Sequence, residues 1–165
     1  MFFLLWDASA LAQRYAPEIG HQTVNALFAG VPRAQMITTV LSYSETCGAL
    51  VRKRNRGALD VATFTVARSA LRAEVIDDAD FGVLAVEVGD ILGGIDLIDR
   101  HNLNSADASI LTAFLSFAQA QPAATPCVLV TADQRLLRAA QAEGLRTFNP
   151  ELVAPADVPA FLAAL

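Results

Sequence analysis

The chain has 165 residues, 54% of them hydrophobic, the size of one domain (1–165) whose core can stand without disulfides or structural metal. Its 12 basic and 17 acidic residues leave a net charge of -5, which argues against holding nucleic acid by bulk positive potential but not against acting on it through bound metal. The two cysteines, Cys47 and Cys127, lie far apart in apolar segments without a CxxC or a nearby His, and read as buried free thiols of a reducing compartment.

Phe2 to Trp6 is a short apolar run stopped by Asp7, and it lacks the basic flank of a secretion signal. It reads as a strand buried on both faces, followed by a helix from Ala8 to Ala16 that Pro17 ends. Gln22 to Ala29 forms a second helix closed by Gly30, and Met36 to Val40 a branched strand. Ser42-Tyr-Ser-Glu45 has the spacing of a capping box that opens a helix running to the basic end Arg52-Lys-Arg-Asn-Arg56. Apolar residues then recur at helical spacing from Leu59 to Glu74, Val75-Ile76 is a candidate short strand, and Phe81 to Leu97 reads as helical despite Gly89 and the Gly93-Gly94 pair.

Ser105 can cap a helix from Asp107 to Ala120. Cys127 to Thr131 is the clearest central strand, followed by a helix from Gln134 to Glu143 and a short strand from Arg146 to Phe148. A Pro/Ala-rich tail over 150–165 carries a possible last helix from Val158. No stretch is long enough to span a membrane, so a cytosolic (cytoplasmic) protein is expected. Strands alternating with helices predict an α/β fold, a parallel sheet between two helical layers.

In such sheets, sites form outside the carboxyl ends of the strands. Asp7 follows the first strand, Asp133 follows the Cys127 strand, Glu45 lies one turn into the helix after Val40, and Asp107 stands in the first turn of its helix. Each acid has an ordinary explanation as a cap or dipole partner. Together they would meet on one sheet edge and repel unless a hard cation joins them, and an all-acid site without His or Cys points to Mg²⁺ or Mn²⁺.

Asp7 with Ser9, Ser42-x-x-Glu45, Ser105-Ala-Asp107-Ala and Thr131-Ala-Asp133 resemble, in the same order, the four acidic motifs of the PIN-domain ribonucleases. The size and layout are similar to the VapC toxins of bacterial toxin-antitoxin pairs. The resemblance implies a three-layer sandwich with a central parallel sheet and an endoribonuclease that hydrolyses RNA. It makes Asp7, Glu45, Asp107 and Asp133 metal-site acids, with Ser9 and Thr131 as supporting groups. It also implies a homodimer and a small antitoxin protein as partner.

A receiver domain would need a late lysine near the acids, yet Lys53 is the only lysine; an Asp-x-Asp phosphatase fails because the second position is Ser9. A PIN-type binding or scaffold domain with an impaired site, and a PIN nuclease of RNA processing outside a toxin-antitoxin pair, are the alternatives. Arg52 and Arg56 fall on the helical stripe of Glu45, Arg52 about 10 Å from it, and are candidate phosphate contacts. His21 and His101 belong to no motif.

Overall fold

The computed structural model describes residues 1–165. Five strands, β1 (Phe3–Trp6), β2 (Met36–Thr39), β3 (Gly82–Leu84), β4 (Cys127–Val130) and β5 (Arg146–Phe148), form one parallel sheet in the order β3-β2-β1-β4-β5. The connections carry α1 (Ala8–Tyr15), α2 (His21–Gly30), α3 (Val40–Asn55), α4 (Val61–Val75), α5 (Val88–His101), α6 (Ser105–Gln119) and α7 (Gln134–Ala142), with α8 (Val158–Ala163) at the end. The chain leaves central β1 toward β2 and later returns to β1's other side as β4, so the strand order reverses at β1 and opens a crevice at its carboxyl end.

Side-chain alternation divides the core into two layers. Leu4, Trp6, Met36, Val128 and Val130 face a cluster with residues of α1, α2, α4 and α8. Phe3, Leu5, Ile37, Cys127 and Leu129 face the opposite cluster, built largely from α6 and α7. The three-layer α/β sandwich expected from the sequence is therefore the one observed. The 150–165 tail belongs to it, since Val158 is buried in the first cluster and Phe161 lies 4.4 Å from Phe148, ring centre to ring centre. No helix is long and apolar enough to cross a membrane.

Two local expectations are corrected. Val75-Ile76 is no strand: Val75 ends α4, continuing the buried Ala67, Leu71, Val75 stripe at every fourth residue. The stretch from Phe81 is not one helix, because Gly82–Leu84 pairs with β2 as an edge strand before α5 begins at Val88. Three residues with a glycine carry too little period to announce a strand. The Gly93-Gly94 pair does not interrupt α5; a Cβ on Gly94 would stand 3.1 Å from the Ala108 carbonyl carbon, so the glycine lets α5 approach the first turn of α6.

Candidate active site

The ends of β1 and β4 are tied together one residue beyond the strands. Asp7 N–H donates to the Val130 carbonyl (3.1 Å), and Thr131 N–H donates to Phe148 (3.1 Å), which extends the ladder into the crevice. Asp7 is 4% exposed and caps α1. Its Oδ2 accepts from Ser9 N–H (3.1 Å), Ser9 Oγ (2.6 Å) and Thr131 Oγ1 (2.8 Å). The same two hydroxyls accept in turn, Ser9 Oγ from Ala132 N–H and Thr131 Oγ1 from Asp133 N–H. Ser9 and Thr131 thus lock Asp7 and the loop after β4 into one unit.

Asp133 caps α7, its Oδ1 accepting from the Arg135 and Leu136 N–H groups at 2.8 and 2.9 Å. Asp107 stands in the first turn of α6 and its Oδ2 accepts from Asn104 Nδ2 (2.8 Å). The cap of that helix is Asn104, whose Oδ1 accepts from Asp107 N–H, and not Ser105. α6 runs back across the sheet toward β4, which puts its first turn at the carboxyl edge.

Glu45 lies at the sheet edge as the sequence suggested, but its capping box is not formed. α3 begins at Val40 directly after β2, and Thr39 caps it by accepting from Ser42 N–H (2.9 Å). Ser42 lies inside the helix, so there is no capping box and Glu45 has no cap to reach. Its side chain faces the crevice instead.

Asp7, Glu45, Asp107 and Asp133 line one cleft of about 520 Å³, together with Ser9; Thr131 stands behind Asp7. Burial and then the charges of Asp7 and Asp107 push Glu45 up to about 7, with Arg52 opposing. Burial and then Asp7 and Asp133 push Asp107 up to about 6, against Arg135 and the Asn104 hydrogen bond. The two shifts tie Glu45 and Asp107 to the charges of Asp7 and Asp133. As they stand, no three His, Cys, Asp or Glu side chains are gathered closely enough to hold one ion among them. One oxygen of each of Asp7, Asp107 and Asp133, and both of Glu45, nevertheless remain without a protein donor.

Arg52 lines the cleft, whereas Arg56 does not: α3 ends at Asn55 and Arg56 projects beyond it as the exposed C-cap. The sequence reading missed Gln13, Glu18, Lys53 and Glu151, which also line the cleft. Helical spacing could have found Lys53, because Glu45, Ala49, Arg52 and Lys53 fall at i, i+4, i+7 and i+8 on one face. Gln13 follows likewise from Ser9 at i+4. Glu151 had no local signal; Gln13 Nε2 donates to its Oε1 (3.0 Å) across 138 residues of sequence. His21 and His101 lie outside the cleft lining, paired with Gln13 O and Glu143.

The family model described as "PIN domain" matches residues 42–151, two thirds of the chain, a span that contains Glu45, Asp107 and Asp133. No curated protein matches the chain in sequence. Among solved structures, PAE2754 from Pyrobaculum aerophilum is similar with a TM-score of 0.66 and 21% identity, over 96% of this chain and 98% of that one. VapC20 of Mycobacterium tuberculosis, described as a sarcin-ricin loop cleaving toxin, gives 0.60 and 16% over 86% and 95%. A toxin-antitoxin complex from Klebsiella pneumoniae gives 0.56 and 17% over 89% and 97%. At these identities the likeness is one of fold.

Proposed function

The chain belongs to the PIN-domain family, and from that premise we propose that it is a Mg²⁺- or Mn²⁺-dependent endoribonuclease, the toxin of a toxin-antitoxin pair acting in the cytoplasm. The observation that carries the reading is the meeting of Asp7, Glu45, Asp107 and Asp133 in one cleft at the strand-order reversal. Magnesium keeps several waters and is bound through one or two carboxylates plus substrate phosphate, so it does not require three carboxylates in mutual contact. The residues present fit such an ion: four acids, no nitrogen or sulfur ligand among them, each with an oxygen that the protein does not use.

In this reading Asp7, Glu45, Asp107 and Asp133 would hold the cation. Bound metal supplies an activated water and neutralises charge developing on the phosphate. Ser9 and Thr131 hold Asp7 in place by directing both hydroxyls at Oδ2. Arg52, inside the cleft, holds a phosphate next to the scissile one.

The toxin role rests on the VapC20 toxin and the Klebsiella complex having this fold, and it makes a small antitoxin protein the partner. A homodimer is supported by Val88, Ile91, Leu92 and Ile95, 52–71% exposed and all on one face of α5. A two-fold contact pairs such a stripe with itself.

The test is cleavage of single-stranded RNA by the purified chain with EDTA, Mg²⁺ or Mn²⁺, beside Asp107→Asn. Metal-dependent cutting that the variant loses supports the nuclease. A folded protein that binds RNA but leaves it intact under every condition indicates a PIN-type binding domain instead.

A further inference from the structure

The cleft is lined by six carboxylates, the four above plus Glu18 and Glu151, and by two cations, Arg52 and Lys53. A polyanion entering it therefore depends on those two cations wherever no metal stands. Neither cation is idle in the free protein. Arg52 acts on Glu45, and the Lys53 ammonium is ion-paired with the Glu18 carboxylate, both side chains being only 26% and 32% exposed. Glu18 comes from the turn after α1 and Lys53 from the last turns of α3, so the pair joins two walls of the cleft.

We propose that Lys53 positions a substrate phosphate and that Glu18 holds its place until RNA arrives, when phosphate oxygens displace the Glu18 carboxylate. The inference rests on the nuclease reading and deepens it. A carboxylate and a phosphodiester offer the same ligand to an ammonium, an anionic oxygen. Lysine, a point charge on a flexible four-carbon stem, can pass from one to the other without the planar match an arginine needs. Arg56, the other cation of this helix end that the sequence suggested, is outside the cleft, which leaves Lys53 as the neighbour of Arg52 along the phosphate path. The exchange makes affinity adjustable: every phosphate bound at Lys53 is bound against the carboxylate it releases.

The test is anisotropy of a labelled single-stranded oligoribonucleotide over a salt series, with Asp107→Asn present throughout so that the RNA stays intact. Lys53→Met is expected to weaken binding and flatten the log-salt slope by about 0.7, the value of one single-strand phosphate contact. Lys53→Arg, which keeps the charge, should restore most of the slope. Glu18→Gln should tighten binding about two- to fivefold by freeing the lysine from a partly exposed pair. Glu151→Gln removes an equal charge from the same cleft without touching Lys53, and should give the smaller gain.

The decisive arm is Glu18→Gln combined with Lys53→Met. Loss of the Glu18→Gln gain in that background supports the exchange; an undiminished gain means Glu18 acts by bulk repulsion and overturns it. RNA binding by the parent with a slope that Lys53→Met leaves unchanged sinks the Lys53 role alone. No binding by the parent at any salt overturns the RNA reading and the exchange with it. Melting of each variant verifies folding, and Lys53→Gln, which also removes the charge, carries the comparison if Lys53→Met unfolds.

Discussion

Thr131 Oγ1 donates to Asp7 Oδ2 over 2.8 Å, and through that bond two residues 124 positions apart act as a single support for the carboxylate at the centre of the cleft. Thr131 also accepts from Asp133 N–H, so its hydroxyl touches two of the four acids. Thr131→Val keeps the shape and removes both contacts. Hydrogen bonds to charged groups contribute about 1.5–3 kcal/mol, and the variant is expected to lose about that much in denaturant unfolding. It should also need more Mn²⁺ for half-maximal melting stabilisation, since Asp7 is no longer fixed. Unaltered stability and metal response together would show Asp7 to be held by Ser9 alone.

Protonation of the cleft gives stability a definite pH trend. Glu45 and Asp107 rise in the fold to about 7 and about 6 from ordinary values of 4.5 and 3.8. The folded state therefore binds these protons more tightly than the unfolded chain does. The resulting stability is complete below the ordinary values and is lost as pH rises through the folded ones. In EDTA the melting temperature should fall across pH 4.5–7 on account of these two groups. Glu45→Gln removes one of them, and should flatten the fall and raise the metal-free melting temperature above wild type at pH 8.

Metal reverses the trend, because a ligand bound only by the folded state stabilises it by about 2.7 kcal/mol at a hundredfold excess over its Kd. The Mn²⁺-induced rise in melting temperature should grow with pH and shrink in Glu45→Gln. Calorimetry at pH 5 and 8 with and without Mn²⁺ measures both. Equal rises at the two pH values would separate the acids from the metal.

Gly94 lets α5 lie against the turn of α6 that follows Asp107. A methyl group there would meet the Ala108 carbonyl carbon at 3.1 Å, beside the site acid. Gly94→Ala gains about 1 kcal/mol of helix propensity, against about 1–3 kcal/mol for overpacking a backbone contact. The expected outcome is a net loss of about 1 kcal/mol, with RNA cleavage reduced more than stability because the first turn of α6 is pushed from the cleft. Gly89→Ala is the control, since nothing lies within 4 Å of a Cβ there.

The apolar stripe of α5 should decide the oligomeric state. Ile91→Glu puts a charge at the middle of the stripe while leaving a side chain that is already 52% exposed outside the core. The variant is expected to fold and to shift light-scattering mass from dimer to monomer, with metal binding retained. A wild-type protein that is monomeric at every concentration would remove α5 as a self-contact.

The sequence by itself determined most of the architecture, because the information needed was local. Phe3–Trp6 and Cys127–Val130 are apolar on both faces, as a strand between two helical layers must be, and Asp7 and Asp133 follow them at positions where a carboxylate can cap the next helix. Those two caps are also two of the cleft acids, since a side chain that caps a helix at the strand end also lines the crevice there. The ordinary explanation of Glu45 as a capping-box partner proved mistaken, as Thr39 rather than Ser42 caps α3, whereas its place one turn into the helix after β2 is the one observed.

Tertiary structure alone decided what crosses the cleft: the Ser9 and Thr131 hydroxyls on Asp7, Glu18 on Lys53, and Gln13 on Glu151. It also decided that Gly82–Leu84 pairs as an edge strand and that Arg56 lies past the end of its helix. Periodicity reports which face of an element is buried, a property of neighbours three or four residues apart. A hydrogen bond between residues 124 or 138 apart depends on how whole helices seat against the sheet, and no local spacing encodes that.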